Sequence, residues 1–149
     1  MSTRLSFTIH ELVNELDRYA DRALRRDYGV GFNQFHFLAV LTDVGPADMS
    51  TLAACMGVTR AAVSKRTPAM VADGWVTARS EPGAGRSVTL ALTERGVELV
   101  ETAGGDLERA LTRRFDELAA AGTRIDPDLL NTQLNAITTL FREKGTEEA

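Results

Sequence analysis

Two runs of alternating apolar residues, Trp75–Ser80 and Ser87–Leu92, enclose Pro82-Gly83-Ala84-Gly85 in a chain whose other apolar residues recur at helical spacing. In the second run Val88, Leu90 and Leu92 share one face and Thr89 and Ala91 the other, the period-two pattern of a strand. The enclosed Pro and Gly residues make the pair a β-hairpin with a longer loop. A single hairpin set among helices restricts the fold to a mainly α protein with a small β appendage.

The helices around it can be placed from their apolar spacing and end signals. Leu5, Ile9, Leu12, Leu16, Tyr19 or Ala20, and Leu24 predict a helix over 5–28, stopped at Gly29. Phe35, Leu38 and Leu41 predict a second, buried one that ends at Gly45-Pro46. Asp48 can cap a third over Met49–Met56, with Leu52 and Ala53 inward. Thr59 caps a fourth whose apolar positions are Val63, Met70 and Val71, ending at Gly74. After the hairpin, Thr93 caps a fifth helix with Leu107, Leu111, Phe115 and Leu118 on one stripe. Asp126 and Pro127 then open a sixth, carrying Leu130, Leu134, Ile137 and Phe141. The predicted order is α-α-α-α-β-β-α-α.

The third and fourth helices form a helix-turn-helix pattern over Leu52–Lys65. Ala53 is small where the second helix crosses it, and Gly57 supplies a turn with positive φ. Val58 and Val63 bury the turn, Thr59 caps the following helix, and Arg60, Ser64 and Lys65 remain facing outward, where a major groove would lie.

Charge supports that placement. The whole chain carries −4, but residues 58–86 hold Arg60, Lys65, Arg66, Arg79 and Arg86 against Asp73 and Glu81, a local +3 that leaves −7 elsewhere. A basic segment in an acidic protein points to a local anion-binding face. No run of about 20 apolar residues is available to span a membrane. The start Met1-Ser2-Thr3-Arg4-Leu5 lacks the apolar core of a secretion signal. One cysteine, Cys55, excludes an intrachain disulfide framework and suits a reducing cytoplasm, the expected location. With two histidines and that cysteine, a structural zinc site is not expected, and no cofactor is implied.

Residues 34–96 resemble the MarR family of bacterial transcriptional regulators. The resemblance rests on Gln34-Phe35-His36-Phe37-Leu38, on Gly45-Pro46 followed by Leu52-Ala53, and on Gly74-Trp75-Val76. It continues through Glu81-Pro82-Gly83-Ala84-Gly85-Arg86-Ser87 and Leu92-Thr93-Glu94-Arg95-Gly96. It implies one MarR-like domain over 1–149, with a winged helix-turn-helix DNA-binding lobe at 32–93 and dimerisation helices at 1–28 and 94–145. The implied function is a sequence-specific regulator of transcription that binds a pseudo-palindromic double-stranded operator as a homodimer. It would be a repressor controlled by a small molecule, an aromatic or phenolic effector. Thr59, Arg60, Ser64 and Lys65 would enter the major groove, Ser50 and Arg66 contact phosphate, and Arg86 enter the minor groove. His10 and His36 are the candidate effector contacts. The wing departs from the family pattern at Glu81 and Ala84, where aspartates are usual, so Ala84 offers Arg86 no carboxylate.

Other residues admit more than one use. Cys55 suggests a redox-sensing alternative, although no second cysteine is present to resolve a sulfenate. A winged-helix module that binds protein rather than DNA is a further alternative. Pro68 removes the helical bond to Ser64 and is either a kink that aims Arg60–Lys65 or a tolerated one. Gly104-Gly105 is a hinge or a close helix contact. No phosphate-cradling loop, Gly-x-Ser-x-Gly elbow or His-Glu-x-x-His motif occurs, so an enzyme is not expected.

Overall fold

The computed structural model describes residues 4–147 apart from positions 81, 84 and 86, with side chains as far as residue 143. Its elements are α1 (Leu5–Tyr28), α2 (Phe32–Val44), β1 (Ala47–Asp48), α3 (Met49–Met56), α4 (Arg60–Ala72), β2 (Val76–Ser80), β3 (Val88–Leu92), α5 (Glu94–Ala120) and α6 (Pro127–Glu147). This is the mainly α architecture with a β-hairpin wing that the sequence predicts. One element is additional: β1 pairs antiparallel with β3, giving a three-stranded sheet in the order β1-β3-β2. In register, Ala47 faces Leu90 and Asp48 faces Thr89, while Val76 faces Leu92 and Ser80 faces Val88 across the hairpin. α6 continues to Glu147, two residues past the expected end of the C-terminal helices.

The chain divides into two compact units, residues 1–107 and 108–149, with the division inside α5 rather than at a linker. The first unit holds the main core. Phe37, Leu38 and Leu41 of α2 lie at its centre. Around them pack Leu24 of α1, Leu52 and Ala53 of α3, Val63 and Met70 of α4, Val76 and Leu90 of the sheet, and Leu99 and Ala103 of α5. Leu90 is fully buried, and its face-mates Val88 and Leu92 are half-buried, as are Thr89 and Ala91 on the other face. Full burial of side chains such as Phe37 and Leu52 contributes roughly 1.5–3 kcal/mol each, which seats α3 and α4 firmly under the sheet.

The helix ends follow from local chemistry. Asp48 caps α3 by accepting the Thr51 N–H at 2.7 Å, Thr59 caps α4 through Ala62 N–H at 3.1 Å, and Asp126 caps α6 through Leu129 N–H at 3.0 Å. The Gln34 side chain reaches back to the Gly31 N–H at 2.9 Å and closes the start of α2. Val71, expected inward, is 40% exposed, and Thr67 takes the buried place instead. Thr67 can be buried because its hydroxyl donates to the Val63 carbonyl at 2.8 Å, leaving no unpaired polar group. α4 continues through Pro68 without interruption.

Candidate nucleic-acid interface

The helix-turn-helix is built by α3 and α4. Gly57 ends α3 at φ +67°, and its N–H bonds to Ala53 and Ala54 carbonyls. Val58 N–H then reaches the Ala53 carbonyl at 3.0 Å, which closes the turn and delivers Thr59 to the cap. Inside the turn Leu52, Ala53, Met56 and Val63 are buried. α4 also carries Arg60, Ala61, Ser64 and Lys65, all exposed. Three helical positions of the expected site are therefore open to solvent on the fourth helix. Thr59 is exposed but its hydroxyl is engaged in the cap, so its first role is to start the helix. Arg66 is half-buried.

Ser50 is exposed in the first turn of α3. Together with Asp48, Met49, Arg60, Ser87 and Val88 it lines a groove of about 270 Å³ between the starts of α3 and α4 and the start of β3. The groove joins the loop end of β3 to the fourth helix. Arg86 itself lies outside the described residues, as do the departures from the family pattern at Glu81 and Ala84.

Two polar groove residues, Asp48 and Ser87, were not among the sequence candidates. Asp48 is marked in the sequence only as a cap. In the fold its carboxyl is held below the ordinary value of 3.8, chiefly by the backbone N–H of Thr51. The Thr51 hydroxyl adds to this, desolvation opposes it, and the Ser50 N–H and, least of all, the positive charge of Arg60 lower it further. Ser87 gave no signal at all, because its proximity to Arg60 depends on the pairing of β3 with β1.

The wing is anchored at its base. Thr93 donates its hydroxyl to the Gly74 carbonyl at 2.7 Å and accepts the Gly96 N–H at 3.1 Å, so one side chain ties the end of α4, the hairpin and the start of α5. Arg95 lies over the Trp75 ring, 4.0 Å from its centroid, and donates to the Asp73 carbonyl at 2.6 Å. Trp75 is thus a buried structural residue.

The two histidines are placed differently. His10 is exposed and lines an open depression of about 560 Å³ on α1 with Arg4, Phe7, Thr8, Glu11, Asn14, Glu15 and Arg18. His36 is half-buried on α2 and stacked on Phe32, with ring centroids 5.7 Å apart, and is not among the residues of that depression. Cys55 is a free thiol exposed on α3. Among the described residues, no helix is long and apolar enough to cross a membrane.

Comparison with known proteins agrees with this geometry. Residues 28–87 match the MarR family. Over 116 residues, 78% of each chain, the sequence is 24% identical to YpoP of Bacillus subtilis, an uncharacterised helix-turn-helix-type transcriptional regulator. A MarR protein from Peptoclostridium difficile superposes with a TM-score of 0.79 at 15% identity, covering 100% of this chain and 94% of that one. Sco3205 of Streptomyces coelicolor, a MarR family transcriptional regulator solved in complex with DNA, superposes with a TM-score of 0.74 at 22% identity, covering 94% and 84%. The match to the MarR family thus spans the helix-turn-helix and the hairpin as far as Ser87, and the chain has the fold of MarR family structures.

Proposed function

We propose that the chain binds double-stranded DNA with sequence preference, as a symmetric homodimer, and represses transcription until a small aromatic or phenolic effector releases it. The observation that carries DNA binding is the exposed set Arg60, Ser64 and Lys65 on a helix that is locked into the core by Val63, Thr67 and Met70. A helix so seated offers a rigid, cationic and hydrogen-bonding edge to a major groove. Ser50, at the exposed start of α3, and Arg66 are assigned to phosphate, Thr59 to the groove edge and Arg86 to the minor groove. The likeness to Sco3205, a protein solved with DNA, supports the same use here. Repression and the effector rest on the family resemblance. At His36 they also draw on a half-buried imidazole already stacked on an aromatic ring.

Binding to a duplex carrying the promoter of the protein's own gene, measured across a salt series, tests this reading. The affinity should fall steeply with salt, with a slope of roughly −0.9 for each phosphate neutralised. Arg60→Ala should weaken the specific complex by roughly 1–3 kcal/mol and relax sequence preference. Aromatic acids added to the same titration should release the DNA. Absence of any complex at low salt would leave a winged helix that binds protein.

A further inference from the structure

The groove between α3, α4 and β3 is lined by a carboxylate and by the first arginine of the fourth helix, and no part of the DNA-binding reading uses the carboxylate. Asp48 is the most constrained side chain there. Its backbone is paired with Thr89 of β3, and its carboxylate accepts the Thr51 N–H at 2.7 Å. Arg60 has the opposite character: it is exposed, occupies the first turn of α4 and carries a long side chain with several rotatable bonds. A cation at a helix N-terminus is disfavoured by the helix dipole, so a fixed anion nearby decides where it settles. Both residues line the same groove, with Ser50 and Ser87 as its hydroxyl-bearing members.

We infer that Asp48 is a positioning residue for Arg60, holding its guanidinium for a base edge and making binding to arbitrary duplexes less favourable. This rests on the DNA-binding reading above. Phosphate contacts draw a protein to any sequence, whereas base-edge contacts discriminate. An arginine already attracted to a carboxylate gains less from a phosphate, which any duplex supplies. It keeps its gain from guanine, whose two acceptors match the guanidinium fork. The carboxylate is also repelled by every phosphate backbone, a cost that only correct base contacts offset. A fixed acid at the edge of a basic surface therefore trades general affinity for sequence preference.

The charge of Asp48 can be separated from its cap, because asparagine and serine cap helices about as well as aspartate. Asp48→Asn and Asp48→Ser should both fold as the parent does. Each should tighten binding to unrelated duplexes and lower the ratio of specific to non-specific affinity by about tenfold, measured on sequences selected from a random duplex library. In an Arg60→Ala background the same substitutions should leave the ratio unchanged, which a purely capping role would not predict. A second readout needs no DNA: rotation of the Arg60 guanidinium, followed by NMR in the free protein, should be hindered in the parent and fast in Asp48→Asn. An unchanged ratio, or an equal change without Arg60, overturns the assignment. Rotation equally fast in parent and variant overturns it even if DNA binds. A parent that binds no duplex while Arg60 rotation is still hindered overturns the DNA-binding reading instead.

Discussion

A Cβ built on Gly96 would lie 2.3 Å from the main-chain oxygen of Trp75, a distance real side chains do not reach. The obstacle is backbone, held by the Thr93 N–H at 3.1 Å and the Thr93 hydroxyl at 3.1 Å, so it has little freedom to withdraw. Gly96→Ala should therefore destabilise the protein by about 1–3 kcal/mol, as overpacked sites do. Chemical denaturation would measure it, and a variant as stable as the parent would show that the wing base yields freely. The requirement at Gly96 was half legible. The pattern Leu92-Thr93-Glu94-Arg95-Gly96 marks a helix start, but only the fold shows that its glycine admits a carbonyl from a residue 21 positions earlier. Asp48 teaches the same lesson. Its cap was visible locally, and its neighbour Arg60 was not.

At the scale of elements, α4 carries the one local contradiction. Proline in a helix interior costs roughly 3 kcal/mol relative to alanine, through a lost hydrogen bond and a clash. Yet α4 runs unbroken from Arg60 to Ala72, and both Pro68 and Ser64 are exposed, so water reaches the carbonyl that the proline leaves without its helical donor. Nothing buried depends on the pyrrolidine ring. Pro68→Ala should thus raise stability by about 1–3 kcal/mol, read as an increase in Tm, with sequence preference on DNA unchanged. A shift in preference would instead restore the kink that aims Arg60–Lys65. Most element ends were legible because caps are local chemistry: Asp48, Thr59 and Asp126 act where their spacing places them. β1 was not, since a strand of two residues has no period and exists only through pairing with Leu90 and Thr89, some forty residues away. Val71 was misplaced for a related reason. The buried turn selects Val63, Thr67 and Met70 at intervals of four and three, and Val71, one position further round the helix, is left 40% exposed.

For the whole molecule, the outstanding fact is apolar surface that one chain leaves open. α1 exposes Leu5, Phe7, Leu12, Val13 and Leu16, and Phe7 is 65% exposed. α6 separately exposes Leu129, Leu134, Ile137, Leu140 and Phe141, the last at 74%. Single exposed apolar residues are ordinary, but runs of them along helices mark surfaces that another molecule covers. A second copy is the occupant that a two-fold DNA site would require, and paired helices are the simplest symmetric way to cover such faces. We therefore expect light scattering at micromolar concentration to give about twice the chain mass of 16.2 kDa. Because an obligate dimer is stabilised by mass action, Tm should also rise with protein concentration. Ile137→Glu combined with Leu140→Glu puts two charges on positions that are 44% and 51% exposed in the single chain, so neither charge enters that chain's own core. If α6 covers itself against a partner, this variant should lose both the doubled mass and the concentration dependence, and operator affinity should fall with them. A parent that is monomeric, folded and indifferent to concentration would mean that the exposed faces serve another partner, and the two-fold mode of DNA binding would have to be abandoned.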